Sequence, residues 1–346
     1  MAGRKTERIS GASCRVSCLL ALLAAVCVAV VAGCDRKAAR PAGEAKKIVI
    51  AAGTWPASAP IFVAQEKGFF AEEGLDATIQ PVVSGHLGLQ AVLEGKADLA
   101  SVGETPIARD AVDRKPLAVL ATICRIDRAI LIIARKDRGI ATAEDLKGKK
   151  IGLVAGTTAD YFLHIYLTTA YIGPDDLQIV NYQTEALVDA LVAGEVDAIS
   201  TWAPFTTAAA GRLGDNAVVL DEPGLYTMTW NMVATPQTAA RDGEAIQRFL
   251  RAIIRANEFI SHHGDEAQAI TARSVAMDPA VVRNEWGNYA PTAVLDQSLV
   301  LLLEDQARWM TRGAVGETSQ VPNFLEWIHA GALKAVRPEA VRIAGR

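Results

Sequence analysis

The sequence predicts an α/β protein of two similar lobes, each a mostly parallel sheet covered by helices. Three observations carry this. The chain repeats itself: Lys47–Thr54 (KIVIAAGT) aligns with Lys150–Thr157 (KIGLVAGT), both apolar strands ending in Ala-Gly-Thr. At nearly the same offset Leu93–Ser101 aligns with Val192–Ser200, each a helix end, a glycine turn and a short buried strand beginning at aspartate. Within each copy the order is strand, helix, strand, helix, strand, which builds a parallel sheet under helices. The 346 residues leave about 300 for the fold, enough for two separate cores.

The elements follow in order. Residues 1–33 read as an export signal, because Arg4, Lys5, Arg8 and Arg15 precede the apolar run Leu19–Val31, too short to span a bilayer. Residues 34–47, rich in Ala, Lys, Arg and Pro without apolar period, read as a tether, and the fold starts near Ile48. In the first lobe a strand at Ile48 is followed by helix Pro60–Phe70, strand Asp76–Val83, helix His86–Leu93 and strand Ala97–Val102. In the second, strand Lys150–Val154 is followed by helix Ala159–Ala170, strand Gln178–Tyr182, helix Glu185–Ala193 and strand Val196–Thr201. Ala129–Arg135 and Trp230–Ala234 are apolar runs suited to two crossing strands that act as a hinge. The first lobe therefore takes residues 48–130 and 235–346, the second 131–234. Beyond Thr238 the pattern is almost wholly helical: Arg241–His262, Asp265–Ala276, Asp278–Trp286, Thr292–Thr311 and Phe324–Ala330.

Composition excludes several classes. Of five cysteines, Cys14, Cys18 and Cys27 fall in the signal, and Cys34 at its end leaves only Cys124 in the fold. That argues against a disulfide framework or a zinc-cysteine site; Cys124, in the apolar run Leu117–Cys124, reads as core filler. A net charge of −4 disfavours nucleic acid, whose phosphates call for clustered Lys and Arg. No nucleophile elbow, HExxH, phosphate loop or paired carboxylates at useful spacing is present, so no enzyme activity, cofactor or metal is expected. His262-His263 lacks nearby ligands and suits a helix end.

Ligands of such sheets bind beyond the carboxyl ends of the strands. Thr54 and Trp55, Ser84 and Gly85, Glu104 and Thr105, Gly156 with Thr157 and Thr158, and Trp202 occupy that edge. If the lobes face each other, these ten residues line one cleft. Gly53 reads as a place where backbone approaches a ligand, and Trp55 and Trp202 as aromatic faces over its body; the plainer reading of the tryptophans is packing across the closed interface. The helix opening at Gly156-Thr157-Thr158 offers free N–H groups to a negative head, unless Asp160 caps that end itself. Glu104 suits a hydrogen-bond donor on the ligand, or pairs with Arg125 or Arg128. Ser84 offers a hydroxyl, whereas His86 reads as a helix-start residue.

The stretches "PIFVAQEKGFFAEEGLD", "LEGKADLASVGETP", "DLKGKKIGLVAGTTADYFLHIYL", "LVAGEVDAISTWAPF" and "NMVATP" resemble the periplasmic substrate-binding proteins of ABC importers for nitrate, sulfonates, taurine and thiamine precursors. The resemblance runs from about Ile48 to Trp309. It implies the two-lobed type II periplasmic-binding-protein fold with two crossover strands, a monomer, a small anionic organic solute such as a sulfonate or carboxylate, and a membrane permease with its ATPase as partners. Val31-Ala32-Gly33-Cys34 resembles a lipobox, implying lipid on Cys34. Asp35 is similar to the signal that keeps lipoproteins on the outer face of the inner membrane, in the periplasm. A two-lobed sensor or partner-binding lipoprotein uncoupled from transport is the other class this organisation serves. The fungal pyrimidine-precursor synthase of the same fold carries a CCCFC signature that this chain lacks.

Overall fold

The computed structural model describes residues 1, 3, 45–312 and 320–344; the signal, the lipobox and Cys34 lie outside them. The first elements are β1 (Lys46–Gly53), α1 (Ala59–Glu66), α2 (Phe69–Glu72), β2 (Leu75–Val82), α3 (Gly85–Leu93), β3 (Leu99–Gly103), α4 (Glu104–Val112) and β4 (Ala118–Asp127). There follow β5 (Ile130–Arg135), β6 (Lys150–Leu153), α5 (Thr158–Thr169), β7 (Gln178–Asn181), α6 (Leu187–Ala193), β8 (Ala198–Trp202), α7 (Phe205–Leu213) and β9 (Ala217–Leu220). The chain ends with β10 (Thr227–Ala234), α8 (Pro236–Arg241), α9 (Gly243–His262), α10 (Gly264–Ser274), α11 (Pro279–Glu285), β11 (Tyr289–Asp296), α12 (Gln297–Met310), α13 (Gly331–Val336) and β12 (Val341–Arg342).

Two sheets result, a seven-stranded one ordered β12-β11-β4-β10-β3-β1-β2 and a five-stranded one ordered β7-β6-β8-β5-β9. In each the repeated strands are parallel, with β1 between β2 and β3 and β6 between β7 and β8. Both glycines of the repeat sit in the left-handed region just past a helix, Gly95 at φ 70 and Gly194 at φ 78, a cost only glycine avoids. The same capping bonds form twice, Lys96 N–H to Ala91 O (2.8 Å) and Glu195 N–H to Ala190 O (3.0 Å). The repeated aspartates also have one job: Asp98 Oδ2 accepts from Val49 N–H and Asp197 Oδ2 from Lys150 N–H, both at 2.9 Å. Each thus fixes the start of the third strand against the first.

The structure corrects several elements. Gly68 at φ 72 divides the helix expected over Pro60–Phe70 into α1 and α2. Trp230–Ala234 does not cross between lobes: β10 is a central strand of the larger sheet, antiparallel to β3 and β4. The crossings are the short segments 128–129 and 221–226. They are joined to one another by Arg128, held at φ 54, whose Nε lies 2.6 Å from Asp221. Thr292–Asp296, expected as helix, belongs to strand β11, whose pairing with β4 shifts register between Pro291 and Val294; proline has no N–H to give the ladder. Alternating burial along β11 (Ala293 and Leu295 fully buried) was masked by the helical pattern that follows it.

Candidate functional site

At the end of β1, Gly53 serves packing. A Cβ there would lie 2.6 Å from Cζ2 of Trp230, a side chain only 6% exposed whose Nε1 donates to Ser58 Oγ at 3.0 Å. The strand stops on glycine because a tryptophan ring occupies the space. Trp55 closes the same cluster, edge-on to Trp230 (5.5 Å) and Tyr289 (5.7 Å); its half-buried ring keeps an indole Nε1 that is buried without a partner. Thr54 is occupied as well, its N–H and Oγ1 both donating to Val82 O.

The next loop behaves similarly. Ser84 is exposed and caps α3, accepting from Leu87 N–H at 3.4 Å. Gly85 is small because Val102 Cγ2 would lie 2.6 Å from its Cβ. Trp202, half-buried at the end of β8, meets Phe205 edge-on at 6.2 Å. Each tryptophan of the expected cleft has its aromatic neighbours within its own half.

Glu104 opens α4 and is wholly buried. Neither expected arginine pairs with it: Arg125 bonds Asp296, and Arg128 bonds Asp221. Instead Oε1 accepts from Tyr226 Oη and from Gln306 Nε2 (3.1 Å), while Oε2 accepts from Thr229 N–H (2.8 Å) and Thr229 Oγ1 (3.0 Å). Burial pushes its carboxyl up to about 7 against those bonds.

At the start of α5 the backbone is served by its own residues. Gly156, at φ 74, donates to Asp160 Oδ2 at 2.8 Å, and Thr157 Oγ1 donates to Val154 O at 2.7 Å. Asp160 therefore takes the N–H of Gly156, one of the groups this helix opening offers to a ligand head. Two features of the larger half reach this turn: Thr158 Oγ1 donates to Thr105 Oγ1 at 2.9 Å, and the Arg109 guanidinium comes within 3.3 Å of a Cβ on Gly156. Burial raises the Asp160 carboxyl and Arg109 opposes that rise.

Further along, α5 is fastened to α12 of the larger half. Tyr161 Oη donates to Asp305 Oδ2 at 2.6 Å and its ring meets Trp309 edge-on at 5.5 Å. His164 stacks on Trp309 (6.3 Å) and its Nε2 lies 2.8 Å from Arg312 Nη1. Next to this contact is a cavity of about 500 Å³ lined from both halves, by Tyr161 and Ile165 of α5 and by Arg125, Thr229, Ser298 and Leu302, with Tyr226 of the second crossing. None of the ten predicted site residues lines it, although Glu104 lies behind Tyr226 and Thr229. A larger cavity, about 800 Å³, lies between α5, the loop at Thr142 and the second crossing, with no wall from the larger sheet. Sequence reasoning missed Tyr161 and Tyr226 because it sought strand ends, whereas these project from a helix flank and a crossing segment; the aromatic cluster Tyr161-Phe162…Tyr166 in one amphipathic helix was the available signal.

Among the described residues no group of three His, Cys, Asp or Glu side chains could hold a metal, and no helix is long and apolar enough to cross a membrane. The family described as NMT1/THI5 like matches residues 55–267. A candidate aliphatic sulfonates-binding protein of Bacillus subtilis (strain 168) is 26% identical over 303 residues, 85% of this chain and 89% of that one. The periplasmic aliphatic sulphonate binding protein SsuA from Escherichia coli matches with TM-score 0.71 and 20% identity, over 82% of this chain and 97% of that one. The desulfurization enzyme DszB shares the fold too, with TM-score 0.62 and 16% identity over 85% and 99%.

Proposed function

This chain belongs to the NMT1/THI5-like family, and from that premise we propose that it is the solute-binding component of an ABC importer, capturing a small organic solute between its lobes for a membrane permease. The observation that carries the reading is the cavity walled by both halves. A solute there touches α5 on one side and β4, β10 and α12 on the other, so it favours the closed arrangement by its contacts to both. An anionic group of the expected kind would be met outside this cavity's lining, at the first turn of α5, where the Arg109 guanidinium comes within 3.3 Å of a Cβ on Gly156. Lipid on Cys34 would hold the chain at the outer face of the inner membrane, within reach of its permease. Binding is favoured over catalysis by Cys124, the free thiol of the described residues: it is 1% exposed, and burial pushes it up to about 12, so it supplies no thiolate nucleophile.

A thermal-shift screen of sulfonates, carboxylates, nitrate, pyrimidines and amines tests the reading, since a ligand at a hundred times its dissociation constant adds about 2.7 kcal/mol. A hit should bind Tyr161→Ala at least about tenfold more weakly and should reduce the radius of gyration in solution scattering. A hit that leaves both quantities unchanged defeats it.

A further inference from the structure

The cavity between the halves has a wall whose hydrogen-bond donors are already committed. Five lining residues carry hydroxyls, and every one donates to a carboxylate. Tyr161 donates to Asp305 (2.6 Å), Tyr226 to Glu104, Thr227 to Asp127 (2.7 Å), Thr229 to Glu104 (3.0 Å) and Ser298 to Asp296 (2.6 Å). A hydroxyl has one proton and two lone pairs, so a hydroxyl that has spent its proton can only accept. The sole cation of the wall, Arg125, is bonded to Asp296. Glu104, Asp127 and Asp305 have no ion-pair partner among the described residues. Next to Tyr226 the buried amide of Gln306 gives its Nε2 to Glu104 while its Oε1 is buried with no donor at all. The polar part of the wall thus offers acceptors, backed by the carboxylates of Asp127 and Asp305 and by Glu104 once it is ionised, and the rest is apolar, from Ile165, Leu225, Leu302 and the two tyrosine rings.

We propose that this cavity takes a protonated amine or amidine carried on a short apolar body. Its N–H groups would meet the hydroxyl oxygens of Tyr161, Thr229 and Ser298, and its charge would face the carboxylates behind them. An anion placed there would find one guanidinium, already engaged, and three carboxylates opposing it. The proposal rests on the reading that this cavity holds the solute, and it adds the chemical class of the group that enters.

Calorimetric titration of the full mature chain at pH 8 with n-butylammonium, n-butylguanidinium and butane-1-sulfonate separates the two readings. One of the cations is expected to bind at least about tenfold more tightly than the sulfonate. Tyr161→Phe, which removes an acceptor oxygen without touching Glu104, should weaken that cation several-fold, and Glu104→Gln about tenfold. Preference for the sulfonate, lost in Arg125→Gln, overturns the amine while leaving the cavity as the solute site. Undiminished cation binding by a folded Leu302→Trp variant, or no binding of any probe, overturns the cavity assignment and the amine together.

Discussion

Replacing Gly53 by alanine should cost stability and leave ligand recognition to one side, which is the opposite of what a glycine reserved for a ligand would do. The new methyl would sit 2.6 Å from Cζ2 and 3.2 Å from Cη2 of Trp230, so the ring must move by about 1 Å to restore ordinary contact. It has little room to do so. Its Nε1 is bonded to Ser58, itself fully buried and 3.2 Å from Ser101 Oγ, and its edge abuts Trp55. Overpacking of this kind costs about 1–3 kcal/mol, hence a melting temperature lower by several degrees, at about 2–4 °C per kcal/mol. Denaturant unfolding of four proteins tests the cause: wild type, Gly53→Ala, Trp230→Phe and the pair. Phenylalanine lacks the outer ring atoms that meet the methyl, so the double variant should be at least about 1 kcal/mol more stable than additivity allows. Additive losses, or unchanged stability with weakened solute binding in Gly53→Ala, would refute the packing account and restore a ligand to that position.

Three further outcomes are expected. Glu104 is an acid whose folded value, about 7, lies above its ordinary 4.5; its contribution is full at low pH and is lost as pH rises through that window, by at most about 3 kcal/mol. Calorimetry at pH 5 and pH 8 should accordingly show Glu104→Gln gaining on wild type at the higher pH, and a constant difference would contradict the buried, protonated acid. His164, held below its ordinary value by burial and then by Arg312, with Asp305 and Asp160 pulling the other way, accepts from Arg312 only when neutral. Acidification that protonates it should therefore loosen α5 from α12, seen as a larger radius of gyration that His164→Gln does not show; equal responses would exclude the histidine. Asp197→Ala removes the acceptor of Lys150 N–H and should cost about 1–2 kcal/mol, as should Asp98→Ala in the other half, whereas losses well under 0.5 kcal/mol in both would show the repeated aspartate to be dispensable.

The repeat was legible because both copies solve the same local problem with the same residues. A left-handed glycine ends a helix, an aspartate takes the N–H group at the start of the neighbouring strand, and a reader of one chain sees each solution twice. The strand-end loops were legible as places, but the sequence alone does not separate packing from binding there, since both call for the same residue types. Gly53, Gly85 and Ser84 show this: a small residue permits close approach whether the approaching group is a solute or a Trp230 or Val102 side chain, and a serine before a helix caps it with or without a ligand. Glu104 shows the reverse. Its chemistry as an acceptor was readable, but its partners Tyr226, Thr229 and Gln306 lie more than a hundred residues away in the chain, on the second crossing, β10 and α12. What a sequence leaves undetermined in a two-lobed chain is thus chiefly what one lobe does to the other. The fastening of α5 to α12 through Tyr161, His164, Asp305 and Trp309 is of that kind, being built from two amphipathic helices each of which, read alone, needs only its own sheet.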